Sequence, residues 1–383
     1  MFLVALIVVA SAGAVSAQQG GGGGTNGSGE DQLAKCAGKN PPGTQTLAGG
    51  GKVTYDIPYV TGAGTDRQGD IYVPSGAGPF PAIVLLHGGG WTVGDKCWLS
   101  TQSMSLEEAG FVAFTINYRL APTFCFPVPE EDTAAAISFL RQHASTYKID
   151  PGKIGLLGTS AGGQIAVMTA YREGFGSTGT KVAAIASWSG AFDMIKIIDE
   201  RPDSAEVQDR ERTASCLSES ASATAPSSVA KLDASSIASQ KLTSDFTPTF
   251  IANAVNEFIP LDQAEAFHQE LQGLGVPTQL LTPPSGHATQ YTRQAIQPTI
   301  DFLDQYVKDF TGATGTPSDQ PSPQPSRSPR RTRTPPVAIG PAASHSNTGA
   351  LVLVLLAAGV LIVGGLLAGP AFTSWKRSRA QRA

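Results

Sequence analysis

Histidine and cysteine are scarce in this chain: five of one and four of the other in 383 residues. The cysteines, Cys36, Cys97, Cys125 and Cys216, follow no zinc-ligand spacing. There is no phosphate-binding loop, no metal-ligand cluster and no internal repeat, so neither a metal centre nor a cofactor is expected. Charge is also sparse, at 15% of residues, and the net charge is −4. A chain without a basic excess has no electrostatic footprint for nucleic acid. What remains is chemistry that glycine, serine and a few titratable side chains can perform.

Glycine is plentiful, and it is placed in two patterns. Residues 158–162 read Gly-Thr-Ser-Ala-Gly, after the apolar run 153–157 and before the helix-forming stretch 164–170. A serine hydroxyl is a poor nucleophile, and a tight strand–turn–helix exposes it where a base can reach it. Gly158 and Gly162 keep side chains out of that turn, and the helix start directs its partial positive charge at a developing oxyanion. The second pattern closes the apolar run 82–86: His87-Gly88-Gly89-Gly90-Trp91. Acyl transfer needs two preorganised N–H donors for the carbonyl oxygen. The amide of Ala161, directly after the candidate nucleophile Ser160, supplies one, and that of Gly89 or Gly90 supplies the other.

With these motifs the chain resembles the α/β-hydrolase esterases and lipases of the hormone-sensitive-lipase and feruloyl-esterase-like group, over residues 50–310. The resemblance also rests on Asn117-Tyr118-Arg119-Leu120-Ala121-Pro122, on Phe126-Pro127, on Asp132 opening a helix, and on Asp150-Pro151-Gly152-Lys153-Ile154 before the nucleophile strand. It implies an α/β-hydrolase fold, a mostly parallel sheet with helices on both faces. The alternation of strand-like and helical runs agrees with that architecture.

The base follows partly by elimination. His87 belongs to the glycine motif, His143 and His268 lie in helical stretches (132–147 and 262–274), and His345 is in a polar linker. His287 remains, in a loop after the apolar run 278–281, where the chain order serine, acid, histidine puts it. The acid is less direct. The family resemblance implies an Asp four residues before the Pro of a V-P-L-like turn, but that position is Asn256, and Glu257 follows it. A carboxylate fixes the imidazole tautomer better than an amide does. Glu257 is therefore favoured, with Asp193, at the end of the strand 182–188, as the alternative. Asp262 and Glu265 are expected to face solvent.

The ends differ from the middle. Residues 1–17 are apolar and end in a small-residue pattern like a signal peptide's, without its basic start, and 18–32 are glycine-rich. A hydrolase domain is expected over 33–312, with the polar stretch 199–228 as either an insertion over the active site, where it is a candidate small lid, or a surface excursion. Residues 313–348 form a Pro/Ser/Thr-rich spacer. Residues 349–369 carry no charge and are long enough to span a bilayer; Trp375 and the basic tail of 370–383 follow. The expectation is a single-pass membrane protein with its hydrolase domain outside the cell. All four cysteines then lie in an oxidising compartment. Cys97 and Cys125 leave successive strands on the same side of the sheet, so the expected pairs are Cys97–Cys125 and Cys36–Cys216. The expected function is a serine carboxyl-ester hydrolase acting on small-molecule or polymer-bound esters. The other readings are a serine peptidase of the prolyl-oligopeptidase type and a non-catalytic surface module.

Overall fold

Among the described residues, nine strands form one sheet, in the order β1-β2-β3-β5-β4-β6-β7-β8-β9. They are β1 (Thr44–Thr46), β2 (Lys52–Pro58), β3 (Gln68–Val73), β4 (Phe80–Leu86), β5 (Val112–Ile116), β6 (Ile149–Thr159), β7 (Ile185–Trp188), β8 (Thr249–Ala252) and β9 (Thr278–Leu281). The first three strands and the β3–β5 pair are antiparallel, and the remaining pairs are parallel. The computed structural model describes residue 36 and residues 43–174, 181–200, 213–217 and 225–309. The segments 1–17, 18–32, 313–348, 349–369 and 370–383 lie outside the described residues, as do 201–212 and 218–224 of the expected excursion. Among the described residues, no helix is long and apolar enough to cross a membrane.

The helices used below are α1 (Ser100–Glu108), α2 (Val128–Gln142), α3 (Ala161–Gly174), α4 (Met194–Glu200), α5 (Pro226–Ser235), α6 (Leu261–Gly273) and α7 (Thr292–Leu303). The central strands are apolar without alternation because both of their faces are covered. In β4, Val84 and Leu86 pack on one face with Ile137 and Leu140 of α2, Ile165 of α3 and Phe267 of α6. Ile83 and Leu85 pack on the other with Leu106 of α1 and Ala295 and Leu303 of α7.

The chain runs from β4 outward to β5, then back across β4 to β6. Right-handed crossovers therefore put α1 and α2 on opposite faces. Neighbouring strands β4 and β6 continue into α1 and α3 on opposite faces, which opens a crevice at their carboxyl ends. Both sequence motifs sit there, His87–Trp91 after β4 and Ser160 after β6.

The same reversal overturns the expected disulfide pairs. The bonds are Cys36–Cys97 and Cys125–Cys216, with Cα separations of 6.0 and 5.6 Å. Cys97–Cys125 and Cys36–Cys216 are not formed. Both loops do leave the same edge of the sheet, but they lead to opposite faces. Beside Cys97, the ammonium of buried Lys96 is 2.9 Å from Asp56 and 3.1 Å from Asp70, on β2 and β3, and Leu99 joins the α1 face. Cys125 precedes α2 on the other face, where the Phe126 amide donates to the Ala214 carbonyl at 2.9 Å and brings 213–217 alongside. The elements are otherwise close to expectation, with β7 shorter (Ile185–Trp188) and the helix around His143 broken after Gln142.

Non-reducing peptide mapping of protein from an oxidising compartment should recover linked peptides for Cys125–Cys216 and Cys36–Cys97. A Cys97–Cys125 peptide as the main species would contradict this arrangement of the two faces.

Candidate active site

Ser160 occupies the single residue between β6 and α3, with φ +53°. That left-handed conformation costs a non-glycine residue ~1–2 kcal/mol, and its surroundings hold it there. The Ser160 amide donates to Trp188 O on β7 at 2.7 Å, and its carbonyl accepts from Gly163 N at 2.8 Å and Gln164 N at 3.2 Å. A Cβ on Gly158 would collide with the Gly162 carbonyl, and one on Gly162 with the Leu86 carbonyl. The elbow thus packs directly on the end of β4.

The glycine loop lies against the elbow. A Cβ on Gly88 would come within 3.0 Å of Ser160 Cβ. Gly89, Gly90 and Trp91 all have positive φ, at +120°, +56° and +60°, so Gly89 and Gly90 sit in a tight turn beside the nucleophile, and Ala161 begins α3 on its other side. His87 holds this loop rather than serving as a base. Its ring is buried and stacked on Tyr118, with centroids 4.3 Å apart, and its Nδ1 is 2.7 Å from Gly88 O. Burial pulls its pKa down to about 4, so the ring is neutral. Tyr118 OH donates to His87 O at 2.8 Å. Its neighbour Arg119 clasps the buried carboxylate of Asp132 on α2, with Nη2 to Oδ1 at 2.8 Å and Nε to Oδ2 at 2.9 Å.

Base and acid meet on the adjacent loops. His287 follows β9, and its Nδ1 is 2.5 Å from Glu257 Oε2 in the loop after β8. The Glu257 side chain is 1% exposed and that of His287 19%. A carboxylate can only accept, so Nδ1 carries the hydrogen and Nε2 is left as the accepting nitrogen. The second carboxyl oxygen of Glu257 takes Ala254 N at 2.6 Å and Ser189 Oγ at 2.9 Å. Ser189 follows Trp188, the residue that fixes the Ser160 amide. Its hydroxyl also accepts from Ala288 N at 2.9 Å and lies 2.6 Å from Tyr291 OH. Phe258 covers the imidazole, with ring centroids 4.0 Å apart.

The other carboxylates and amides named from sequence are elsewhere. Asn256 donates from Nδ2 to Pro284 O at 3.0 Å, which ties the two loops through the backbone. Asp193 accepts from Lys196 N at 2.9 Å at the start of α4. Asp262 pairs with Lys196 at 2.5 Å. Cys36, Asp95 and Cys97 form the one group of potential metal ligands found among the described residues, and the two cysteines are already joined to each other in the Cys36–Cys97 disulfide.

The sequence reading missed two buried residues behind the elbow. Gln164 and Glu130 line a small cavity with Trp91, Phe126, Met194 and Ala214. Glu130 stands in an acidic run that reads as solvated, but it continues the buried stripe Thr133, Ile137, Leu140 of α2. Its Oε1 takes a long 3.5 Å bond from Gln164, and its Oε2 has no hydrogen-bond partner. Burial raises its pKa to about 7.

The native protein thus keeps a proton on Glu130 that the unfolded chain releases above its ordinary carboxyl range. Stability from this group is complete below that range and is lost as pH rises to about 7. His87, with its lowered pKa, acts in the opposite sense on acidification and cancels when two variants are compared. Glu130→Gln should therefore gain on the wild type by ~2–3 kcal/mol in unfolding free energy between pH 5 and pH 8. Urea titrations at both pH values measure it, and a gap that stays constant would show that Glu130 ionises freely.

Comparison with known proteins agrees with this architecture. Residues 69–271, just over half of the chain, match the BD-FAE family model. The match includes the elbow, the glycine loop and Glu257 and ends before His287. A probable carboxylic ester hydrolase, LipM, of Mycobacterium tuberculosis (strain ATCC 25618 / H37Rv) is 29% identical over 210 residues, 51% of this chain and 46% of that protein. A probable isoprenylcysteine alpha-carbonyl methylesterase, ICMEL1, of Arabidopsis thaliana is 29% identical over 140 residues, 34% of this chain and 29% of that protein. The chain thus spans less than half the length of either relative. Among solved structures, a truncated carbohydrate esterase from gut microbiota superposes with a TM-score of 0.58 at 21% identity, over 67% of this chain and 96% of that one. That likeness shows the fold, and the family match shows the lineage: the chain belongs to the BD-FAE family, within the α/β-hydrolase esterases and lipases.

Proposed function

We propose that the protein is a serine carboxyl-ester hydrolase in which Ser160, His287 and Glu257 act as the triad. The observation that carries this reading is the 2.5 Å contact between His287 Nδ1 and the buried carboxylate of Glu257, on the loops after β8 and β9, the second and third strands from the elbow strand β6 in the sheet. His287 Nε2 takes the proton from Ser160 Oγ as the oxygen attacks the ester carbonyl carbon. The tetrahedral oxyanion is held by the amide of Ala161 and that of Gly89 or Gly90. The carbonyl–oxygen bond to the alcohol then breaks, and the same proton leaves with the alcohol. Water repeats the sequence on the acyl-enzyme and releases the acid. Glu257 stabilises the imidazolium formed in each half.

Glu reaches from position 257 to where an Asp at 256 was expected, because its extra methylene offsets the shift by one residue. This weighs against a non-catalytic surface module, the reading that an amide, Asn256, in the acid's position would favour. The glycine loop favours an esterase over a peptidase of the prolyl-oligopeptidase type. The relatives are named as hydrolases of carboxylic esters, a methyl ester and carbohydrate esters, so the substrate class proposed is carboxylic esters, small or attached to a polymer. The signal-like start and the apolar segment 349–369 support a domain held outside a membrane by its C-terminal end.

On a short nitrophenyl ester, Ser160→Ala should lower kcat by ~10⁶ and Glu257→Gln by ~10⁴. Asn256→Ala and Asp193→Asn should each have a much smaller effect. A mild Glu257→Gln with a severe Asp193→Asn would move the acid to the other loop. Independently, a protein ended at Gly312 should be soluble and keep full activity in the same assay; a folded but inactive product would mean that later residues take part in the site.

A further inference from the structure

An oxyanion hole assembled from Ala161 and the glycine loop has a mechanical difficulty. Its donors belong to two segments far apart in sequence, and one of these is a run of glycines. Something must fix the loop against the helix. Trp91 ends the glycine run in a left-handed conformation, φ +60°, with its side chain buried. Its carbonyl accepts from Ala121 N at 2.9 Å, and its indole Nε1 donates to Gln164 Oε1 at 2.9 Å. Gln164 is in the first turn of α3, where its own amide donates to Ser160 O.

The carboxamide can point only one way. Indole nitrogen donates only, so the Gln164 oxygen must face it. On the other side Nε2 donates to Ser235 O, a carbonyl that can only accept, at 2.9 Å. Gln164 is 2% exposed, so neither bond is shared with bulk water. A buried amide satisfied at both ends is a stiff connector, and loss of one end leaves a desolvated polar group on the other side.

We infer that Gln164 is a positioning residue for the oxyanion hole: through the Trp91 indole it fixes the glycine loop relative to the helix that carries Ser160 and Ala161. The inference rests on the reading of Gly89, Gly90 and Ala161 as the donors. Gln164 touches no substrate. Its effect is felt where geometry matters most, in the transition state, because a displacement of about 1 Å in such a constellation costs ~10²-fold in rate.

Two variants test it, Gln164→Met, which keeps the length and loses the bonds to Trp91 and Ser235 and the long one to Glu130, and Trp91→Phe, which keeps a ring and loses the donor. Each should lower kcat on a short nitrophenyl ester by ~10–100-fold, on the scale of a misplaced or weakened oxyanion donor, with KM changed by less than ~3-fold. The double variant should be no worse than the more severe single one, since both remove the same bond. Affinity for a trifluoromethyl ketone, whose hemiketal oxyanion needs the hole, should fall in parallel with kcat.

A merely structural role would lower the melting temperature and leave kcat and inhibitor affinity unchanged well below it, and that result overturns the inference. If Gln164→Met does not fold, Trp91→Phe alone carries the test, because it leaves the Gln164–Ser235 bond in place. The parent reading fails separately. An unmodified protein without esterase activity, or one whose activity survives Ser160→Ala, overturns the site assignment and this inference with it. A Ser160-dependent esterase that is indifferent to both variants overturns the inference alone.

Discussion

Right-handed crossovers leave β4 and β6 continuing toward opposite faces of the sheet, and every part of the candidate site follows from the crevice between them. Apolar strands of the central sheet bury both faces, so their backbones cannot move to suit a ligand. The carboxyl end of β4 delivers the glycine loop and that of β6 delivers Ser160. The ends of β7, β8 and β9 then line up beside them in sheet order, carrying Ser189, Glu257 and His287. Short links at the strand ends lock this row, from Ser160 N to Trp188 O and from Ser189 N to Ala252 O, each 2.7 Å. Strained residues at Ser160 and Ser189, with φ of +53° and +51°, persist because these bonds over-determine them.

Chemically similar side chains differ here by environment alone. His87 and His287 each border the crevice, but the first is sealed against Tyr118 and kept neutral, and the second has a carboxylate on one nitrogen and partial exposure. Glu257 and Glu130 are both buried carboxyls. The first receives an amide and a hydroxyl on one oxygen and the imidazole on the other. The second has one long bond and holds its proton up to about pH 7. Partners, not residue type, separate a buried carboxyl tied into a network from one that keeps its proton.

Much of this was readable beforehand because the chemistry demands local sequence. The strand–turn–helix at Ser160 and the glycines at 88–90 are contiguous, and elimination together with chain order left His287 as the histidine in a late loop. Glu257 was readable only as one choice beside Asn256 and Asp193, since nothing local says which strand-end loop, or which residue of it, faces His287. The disulfides failed for a topological reason. Two loops leaving the same sheet edge were expected to meet, but face assignment depends on strand order, and order is a long-range property. Gln164 and Glu130 escaped because polar residues in helices usually face water; only their phase relative to the apolar stripe revealed them. Residues 201–212 and 218–224 of the excursion and the terminal segments lie outside the described residues.

The outer strands have one further effect. β1 is three residues long and β9 four, with Pro277 just before β9 and Pro283 and Pro284 soon after it. An unpaired strand edge is a template on which another chain can add, and natural sheets suppress this with short edges and with prolines that lack a donor. Among the described residues the sheet ends in such stubs, which disfavour zipping onto a copy of itself. Copies of the domain can therefore be concentrated without edge-to-edge aggregation.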